Sequence, residues 1–220
     1  MAKPASLEDA LTAHLDTVTR RRGDLGAPQV LVRSADLEFS HGAREVPFHA
    51  ASIGKVPTAV LVMQLVDGGT LTLDSRVTDL LPAGTLAGLY VVDGVDRAGE
   101  VTVGQLLAHT SGVADYFEGR TTTGPRLLDL VITEPDRFWE PADLLEFTRT
   151  RQRAVAPPGA KFAYSDTGYI LLGLLLEHVT GRAFHDLLHE RLFRPLGMAD
   201  SYLMFRSEPD GGRRRAGSRA

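Results

Sequence analysis

Cysteine is absent from this 220-residue chain, tryptophan occurs once, and only three of its 24 basic residues are lysine. Without cysteine there is neither a disulfide framework nor a thiolate zinc site. The N-terminal stretch MAKPASLEDALTAHLDTVTRRRG holds no apolar run of the roughly 7–15 residues that a secretory signal needs. YILLGLLL, residues 169–176, is too short to cross a bilayer, which takes about 20 apolar residues. The chain is therefore expected to be cytoplasmic, with no membrane partner. A net charge of −4 gives no reason to expect nucleic acid as a partner either.

What is present is ordinary globular material: 43% hydrophobic and 24% charged residues, in a chain long enough to bury a real core. Leu7, Leu11, Leu15 and Val18 recur at helical spacing and predict a helix over residues 6–21. PQVLVRSADLEFSHGA predicts a hairpin around a Ser-Ala-Asp turn. A helix is predicted from Ser52 to about Asp67, stopped by Gly68-Gly69. Residues 83–100 read as a loop with a strand fragment, and Thr102 caps a short helix. Residues 113–140 read as a loop with one helical piece near 125–133, and Pro141 opens a further helix. TGYILLGLLLEHVTG is apolar on nearly every side and predicts a buried helix. AFHDLLHERLFRPLGM predicts a final amphipathic one. The last stretch, RSEPDGGRRRAGSRA (206–220), has five arginines and no aliphatic side chain larger than alanine, so a disordered tail is expected there.

One of the three lysines sits in AASIGKVPT (50–58), three residues after Ser52. A serine hydroxyl is a poor nucleophile at neutral pH and needs a base or cation beside it. On a helix, Ser-x-x-Lys puts both side chains on one face, so the Lys55 amine can reach the Ser52 hydroxyl. A helix N-terminus adds free N–H groups and the positive end of the dipole, where an oxyanion could be stabilised. The same residues also fit an ordinary helix start, with Ser52 as N-cap and Lys55 in solvent. Pro57 removes one early helix hydrogen bond.

Two further segments bear on this choice: LLAHTSG (106–112), and Tyr164-Ser165-Asp166-Thr167-Gly168-Tyr169 ahead of the buried helix. Together with Ser52 they resemble the serine β-lactamase and penicillin-binding superfamily, in its class C β-lactamase-like branch of D-Ala-D-Ala carboxypeptidases and promiscuous esterases. FHAASIGK, LVDGGTLTLDSRVTDLLP, VTVGQLLAHTSGVADY, PPGAKFAYSDTGYILLGLLLEHVTG and FRPLGM keep that family's order over about residues 10–205. The resemblance implies an α+β, β-lactamase/transpeptidase-like fold, a helical subdomain plus an antiparallel sheet. It makes Ser52 the acylated nucleophile and Lys55 its activating partner. Tyr164 becomes the general base, a phenolate held between cations, because a tyrosine near pKa ~10 needs such help at neutral pH. Asp166 stands where the family has an asparagine that binds the substrate amide. A carboxylate there only accepts hydrogen bonds, which favours an ester over a β-lactam. His109 is implied to be structural support.

The family's third motif, Lys-Thr-Gly or His-x-Gly, does not follow Met198, and no strand-like run follows Phe205. The expectation is an incomplete family domain over residues 1–205, truncated or frame-shifted, lacking the C-terminal strands. It would keep half an oxyanion hole, at a cost of about 10²–10³ in rate. Its hairpin would keep an open edge prone to self-association. The predicted activity is that of a serine hydrolase on a small-molecule ester or amide, without cofactor or metal. The alternative is a catalytically impaired remnant that acts as a binding module or has no function. A metal reading rests on His185 and His189 at helical spacing. It lacks a glutamate and a third ligand, so both histidines are expected on a solvent-facing stripe.

Overall fold

A computed structural model of the chain describes residues 6–23, 26, 28–43 and 46–212. Its contacts fall into two compact units, Met1–Ala50 and Ala51–Ala220, where the sequence predicts one domain over 1–205. In the first unit, helix α1 (Leu7–Arg21) is capped by Ser6, whose Oγ accepts the Asp9 N–H at 3.1 Å. Glu8 and Asp9 in its first turn and Arg20 and Arg21 in its last complement the helix dipole. None of its residues is buried, so the predicted apolar stripe exists without a core over it. Strand β1 (Val30–Arg33) pairs antiparallel with β2 (Glu38–His41), in register from Val30 opposite His41 to Arg33 opposite Glu38. Phe39 is buried while Leu31 and Val32 are exposed.

The second unit is mainly helical. A 3₁₀ turn (Ala51–Gly54) leads into α2 (Lys55–Asp67). The other helices are α3 (Val77–Leu80), α4 (Val103–Leu107), α5 (Leu127–Thr133), α6 (Pro141–Arg151), α7 (Asp166–Thr180) and α8 (Phe184–Leu188). Thr102 and Gln105 form a reciprocal capping box at the start of α4, with bonds of 3.2 and 3.0 Å. Helix α7 is the core element: Leu171, Leu172, Leu175 and Leu176 are at most 1% exposed, and α2, α3, α4, α6 and α8 all contact it. It ends at Gly181, whose φ of +67° and N–H to the Glu177 carbonyl form a left-handed cap.

Strands β3 (Val91–Val92) and β4 (Val95–Asp96) form a second hairpin within the stretch read as a loop. Asp93 and Gly94 both have positive φ, as an Asp-Gly type I′ turn requires. Among the described residues no strand follows β4. The architecture is α+β as predicted, with helices plus small antiparallel sheets. No helix among the described residues is long and apolar enough to cross a membrane.

The far end departs from expectation in two ways. The final amphipathic helix is broken: α8 passes into a π-helical turn, His189–Phe193. His189 is buried rather than facing solvent, and its Nε2 lies 3.0 Å from Ser207 Oγ. Residues 206–212, counted as tail in the sequence, are fastened to the helical body. Arg194 donates to both oxygens of Asp210 at 2.7 and 3.1 Å, Arg206 pairs with Glu140, and Pro209 is buried. Residues 213–220 of the predicted tail lie outside the described residues.

Candidate active site

Ser52 lies in the 3₁₀ turn ahead of α2, directly after Ala51, whose φ of +46° is a left-handed conformation that alanine rarely adopts. The N-cap of α2 is Gly54, with no side-chain cap bond. Ser52 therefore does not spend its hydroxyl on capping. Its Oγ is 2.8 Å from the Tyr164 hydroxyl and accepts from Lys55 Nζ at 3.4 Å. Pro57 is the third residue of α2, where an N–H has no partner within the helix, so its missing donor leaves nothing unsatisfied there.

Lys55 also forms an ion pair with Asp166, the first residue of α7. Both side chains are largely shielded, at 16% and 19% exposure. Burial alone would lower the lysine pKa. Hydrogen bonds and charge from Asp166 and Tyr164 outweigh it and raise the ammonium above the ordinary 10.5. The same ammonium stands 4.9 Å from the ring centroid of Tyr164 and 5.6 Å from that of Tyr169. The Tyr169 hydroxyl donates to the Leu107 carbonyl at 3.1 Å, and burial raises its pKa. The structure thus brings Ser52, Lys55, Tyr164 and Asp166 into one cluster, with Lys55 charged at neutral pH.

The segment 109–119 holds the entry to α7. His109 has φ +55° and accepts the Ala163 N–H on its carbonyl (2.8 Å) and the Ser165 N–H on Nδ1 (3.1 Å). The buried Asp115 carboxylate accepts three backbone N–H groups, those of Asp166 (3.1 Å), Phe117 (3.2 Å) and Glu118 (3.0 Å). Ser165 Oγ donates to the Ala114 carbonyl at 3.0 Å. Gly112, with φ +82°, lets the loop pass residue 156: a Cβ there would sit 2.0 Å from the Ala156 carbonyl oxygen. Asp115 and Tyr169 lie in segments that the sequence singles out, but neither has a role assigned from the sequence. The only local sign of Asp115 is an acid inside the apolar run GVADYF.

Along α2 a groove of about 360 Å³ runs from Lys55 and Tyr169 past Val56, Val60 and Met63. Among the described residues, no group of three His, Cys, Asp or Glu side chains is placed to hold a metal ion. His185 lies 3.6 Å from Asp186, while His189 approaches Ser207 and Asp210.

A family model described as Beta-lactamase matches residues 40–219. Penicillin-binding protein 4 of Amycolatopsis lactamdurans is 40% identical over 155 residues, 70% of this chain and 35% of its own length. Esterase EstB of Burkholderia gladioli is 31% identical over 216 residues, 89% of this chain and 51% of its own. Among solved structures, the penicillin binding protein from Bacillus halodurans superposes with a TM-score of 0.61 at 27% identity, covering 89% of this chain and 59% of that one. The chain spans from about a third to three fifths of the length of these proteins.

Proposed function

The chain belongs to the β-lactamase family, and on that premise we propose that it is a serine hydrolase forming an acyl-enzyme on Ser52, with esters as its preferred substrates. Its α+β fold is β-lactamase/transpeptidase-like, in a superfamily of serine hydrolases. The observation that carries the proposal is the placing of Ser52 Oγ between the Tyr164 hydroxyl and the Lys55 ammonium. Lysine held charged by Asp166 cannot take a proton, so Tyr164 is the general base. In the proposed reaction Ser52 Oγ attacks the acyl carbonyl while its proton passes to the Tyr164 oxygen. Tyr164 then hands that proton to the departing alcohol as the acyl–oxygen bond breaks. In the second half, water attacks the acyl-enzyme and gives its proton to Tyr164, which passes it to Ser52 Oγ as the acyl–Oγ bond breaks and the acid is released. Tyr164 enters each half as a phenolate, whose charge Lys55 stabilises until the proton arrives.

Asp166 supports the ester preference. Its carboxylate is occupied with Lys55 and offers no N–H to a substrate amide carbonyl. The apolar wall of Val56, Val60 and Met63 beginning at Lys55 suits a hydrophobic acyl group. The resemblance to an esterase and to a penicillin-binding protein agrees with acyl transfer through serine. The test is labelling with a fluorophosphonate followed by mapping of the labelled residue. Label on Ser52, lost in Ser52→Ala, is the expected outcome. Absence of label on the intact chain would favour the other reading, a catalytically impaired remnant that serves as a binding module.

A further inference from the structure

His109 makes an unusual set of contacts for a residue in a supporting loop. The two backbone N–H groups that flank Tyr164 both end on this one residue, Ala163 on its carbonyl and Ser165 on its Nδ1. Its imidazole also lies against the Tyr164 ring, with centroids 4.4 Å apart and planes 27° from parallel. On its other neighbours it stacks on Tyr169 at 5.1 Å and meets the edge of Phe162 at 6.0 Å. Backbone and ring of Tyr164 are therefore oriented by one residue. The left-handed φ of His109 is the backbone feature that accompanies this double grip, in a conformation that costs energy for any residue but glycine or asparagine.

We infer that His109 is the positioning residue for Tyr164 and that its neutral ring is required to hold the base against Ser52, so that protonation of His109 switches the site off. The inference rests on the reading of Ser52 and Tyr164 as nucleophile and base. A neutral imidazole bearing its proton on Nε2 can accept the Ser165 N–H, whereas an imidazolium has only donors. Protonation therefore breaks one of the two bonds flanking Tyr164 and leaves two N–H groups facing each other. It also places a second cation beside Lys55. The charged and titratable groups facing the ring are Lys55 from α2, Tyr164 just ahead of α7, Asp166 and Tyr169 in the first turn of α7, and Asp115 from its own loop. Burial and then the Lys55 charge push the His109 pKa below its ordinary value, against the opposing charges of Asp166 and Asp115. The neutral ring is thereby kept at physiological pH, and the switch operates on the acid side.

The experiment follows the intact chain from pH 8 down to 4 by NMR, with fluorophosphonate labelling of Ser52 measured over the same range. The expected result is that the signals of the Ser165 amide and the Tyr164 ring follow the protonation of the His109 ring, whose midpoint lies below the ordinary 6.5. The labelling rate falls at that same pKa. His109→Asn tolerates the left-handed backbone and retains an acceptor but has no titrating ring, so it abolishes that acid limb. His109→Phe keeps a ring without the acceptor and lowers the labelling rate by roughly 10–100-fold, as expected for a misplaced base. Ser165 and Tyr164 signals that do not follow the His109 ring, or an acid limb unchanged in His109→Asn, overturn the inference. A merely structural histidine would lower the melting temperature of the variants without moving the acid limb. If the wild-type chain is not labelled, the nucleophile reading fails, while the coupled or uncoupled NMR titrations still decide on His109. Should either variant fail to fold, the wild-type titration decides between the same two outcomes.

Discussion

Helices α2 and α7 are both apolar around much of their circumference, and each delivers half of the candidate site, yet they are covered very differently. Helix α7 is enclosed by five other helices, and its leucines at 171, 172, 175 and 176 are at most 1% exposed. Helix α2 buries Thr58, Leu61, Val62 and Leu65 on one side, while Val56, Val60 and Met63 on the other are 37–60% exposed. The half of the site carried at the start of α7 is thus set by a closed core and by the loop 109–119. The half on α2 is anchored on one face only. Apolar character on every side of a helix marks it as a core element, but does not tell how much of it the fold encloses.

The largest expected effect lies where the two halves meet. Tyr164→Phe removes the hydroxyl that stands 2.8 Å from Ser52 Oγ and leaves the ring for His109 to stack on. Loss of a general base costs about 10²–10⁴ in rate, so acylation by a chromogenic ester is expected to slow by that factor with unchanged thermal stability. A loss confined to a few-fold would show that the base is another group. Next comes the enclosed helix itself. Leu172→Ala opens a cavity in the core around α7 and is expected to destabilise the chain by about 2–5 kcal/mol in denaturant unfolding. A milder change would mean that α7 is less firmly enclosed than its packing shows.

How much of this could be read beforehand follows the range of each contact. Ser52, Lys55, Tyr164 and Asp166 were legible because each belongs to a short motif whose chemistry or family resemblance is local. The Asp115 side chain and the Asp166 N–H meet across 51 residues of chain, and nothing near Asp115 announces its partners. Helices α1, α2, α6 and α7 follow from periodicity, proline and glycine, whereas the absence of buried residues in α1 depends on what surrounds it. The β3–β4 hairpin has a proper Asp-Gly turn, but strands of two residues are too short for any alternation to show. The π turn after α8 and the fastening of residues 206–212 come from tertiary contacts of His189, Arg194 and Arg206 with Ser207, Asp210 and Glu140. An arginine-rich composition conceals such contacts, because the same residues read as solvated when no partner is known.

A smaller effect is expected from Asp166→Asn, which keeps the shape of the side chain at the α7 terminus but removes the charge beside Lys55. Burial then acts on the lysine with less opposition, and its pKa falls. The folded-state pKa in the wild type is raised above the unfolded one, so this ammonium contributes stability below pH 10.5 that is lost as pH rises through the folded value. In the variant both the alkaline limb of Ser52 labelling and the alkaline loss of stability are expected to move to lower pH. An asparagine also restores an N–H donor, so hydrolysis of anilides relative to phenyl esters is expected to rise. An unmoved alkaline limb would detach Asp166 from the site.

The smallest effect is the sharpest test of the contrast between the two helices. Met63 is 38% exposed on the uncovered face of α2, one turn from Val60, and makes up part of the groove that starts at Lys55. Met63→Gln preserves length and helix propensity while replacing the thioether with an amide that water can solvate. If the face is open in solution, unfolding free energy is expected to change by less than about 0.5 kcal/mol, as for other surface sites. Self-association, read by light scattering at rising concentration, should decrease, because exposed apolar stripes are where soluble chains stick. A loss approaching that of Leu172→Ala would show instead that this side of α2 is buried in solution. The two helices would then be equally enclosed, and the apparent asymmetry of the site would disappear with the difference between them.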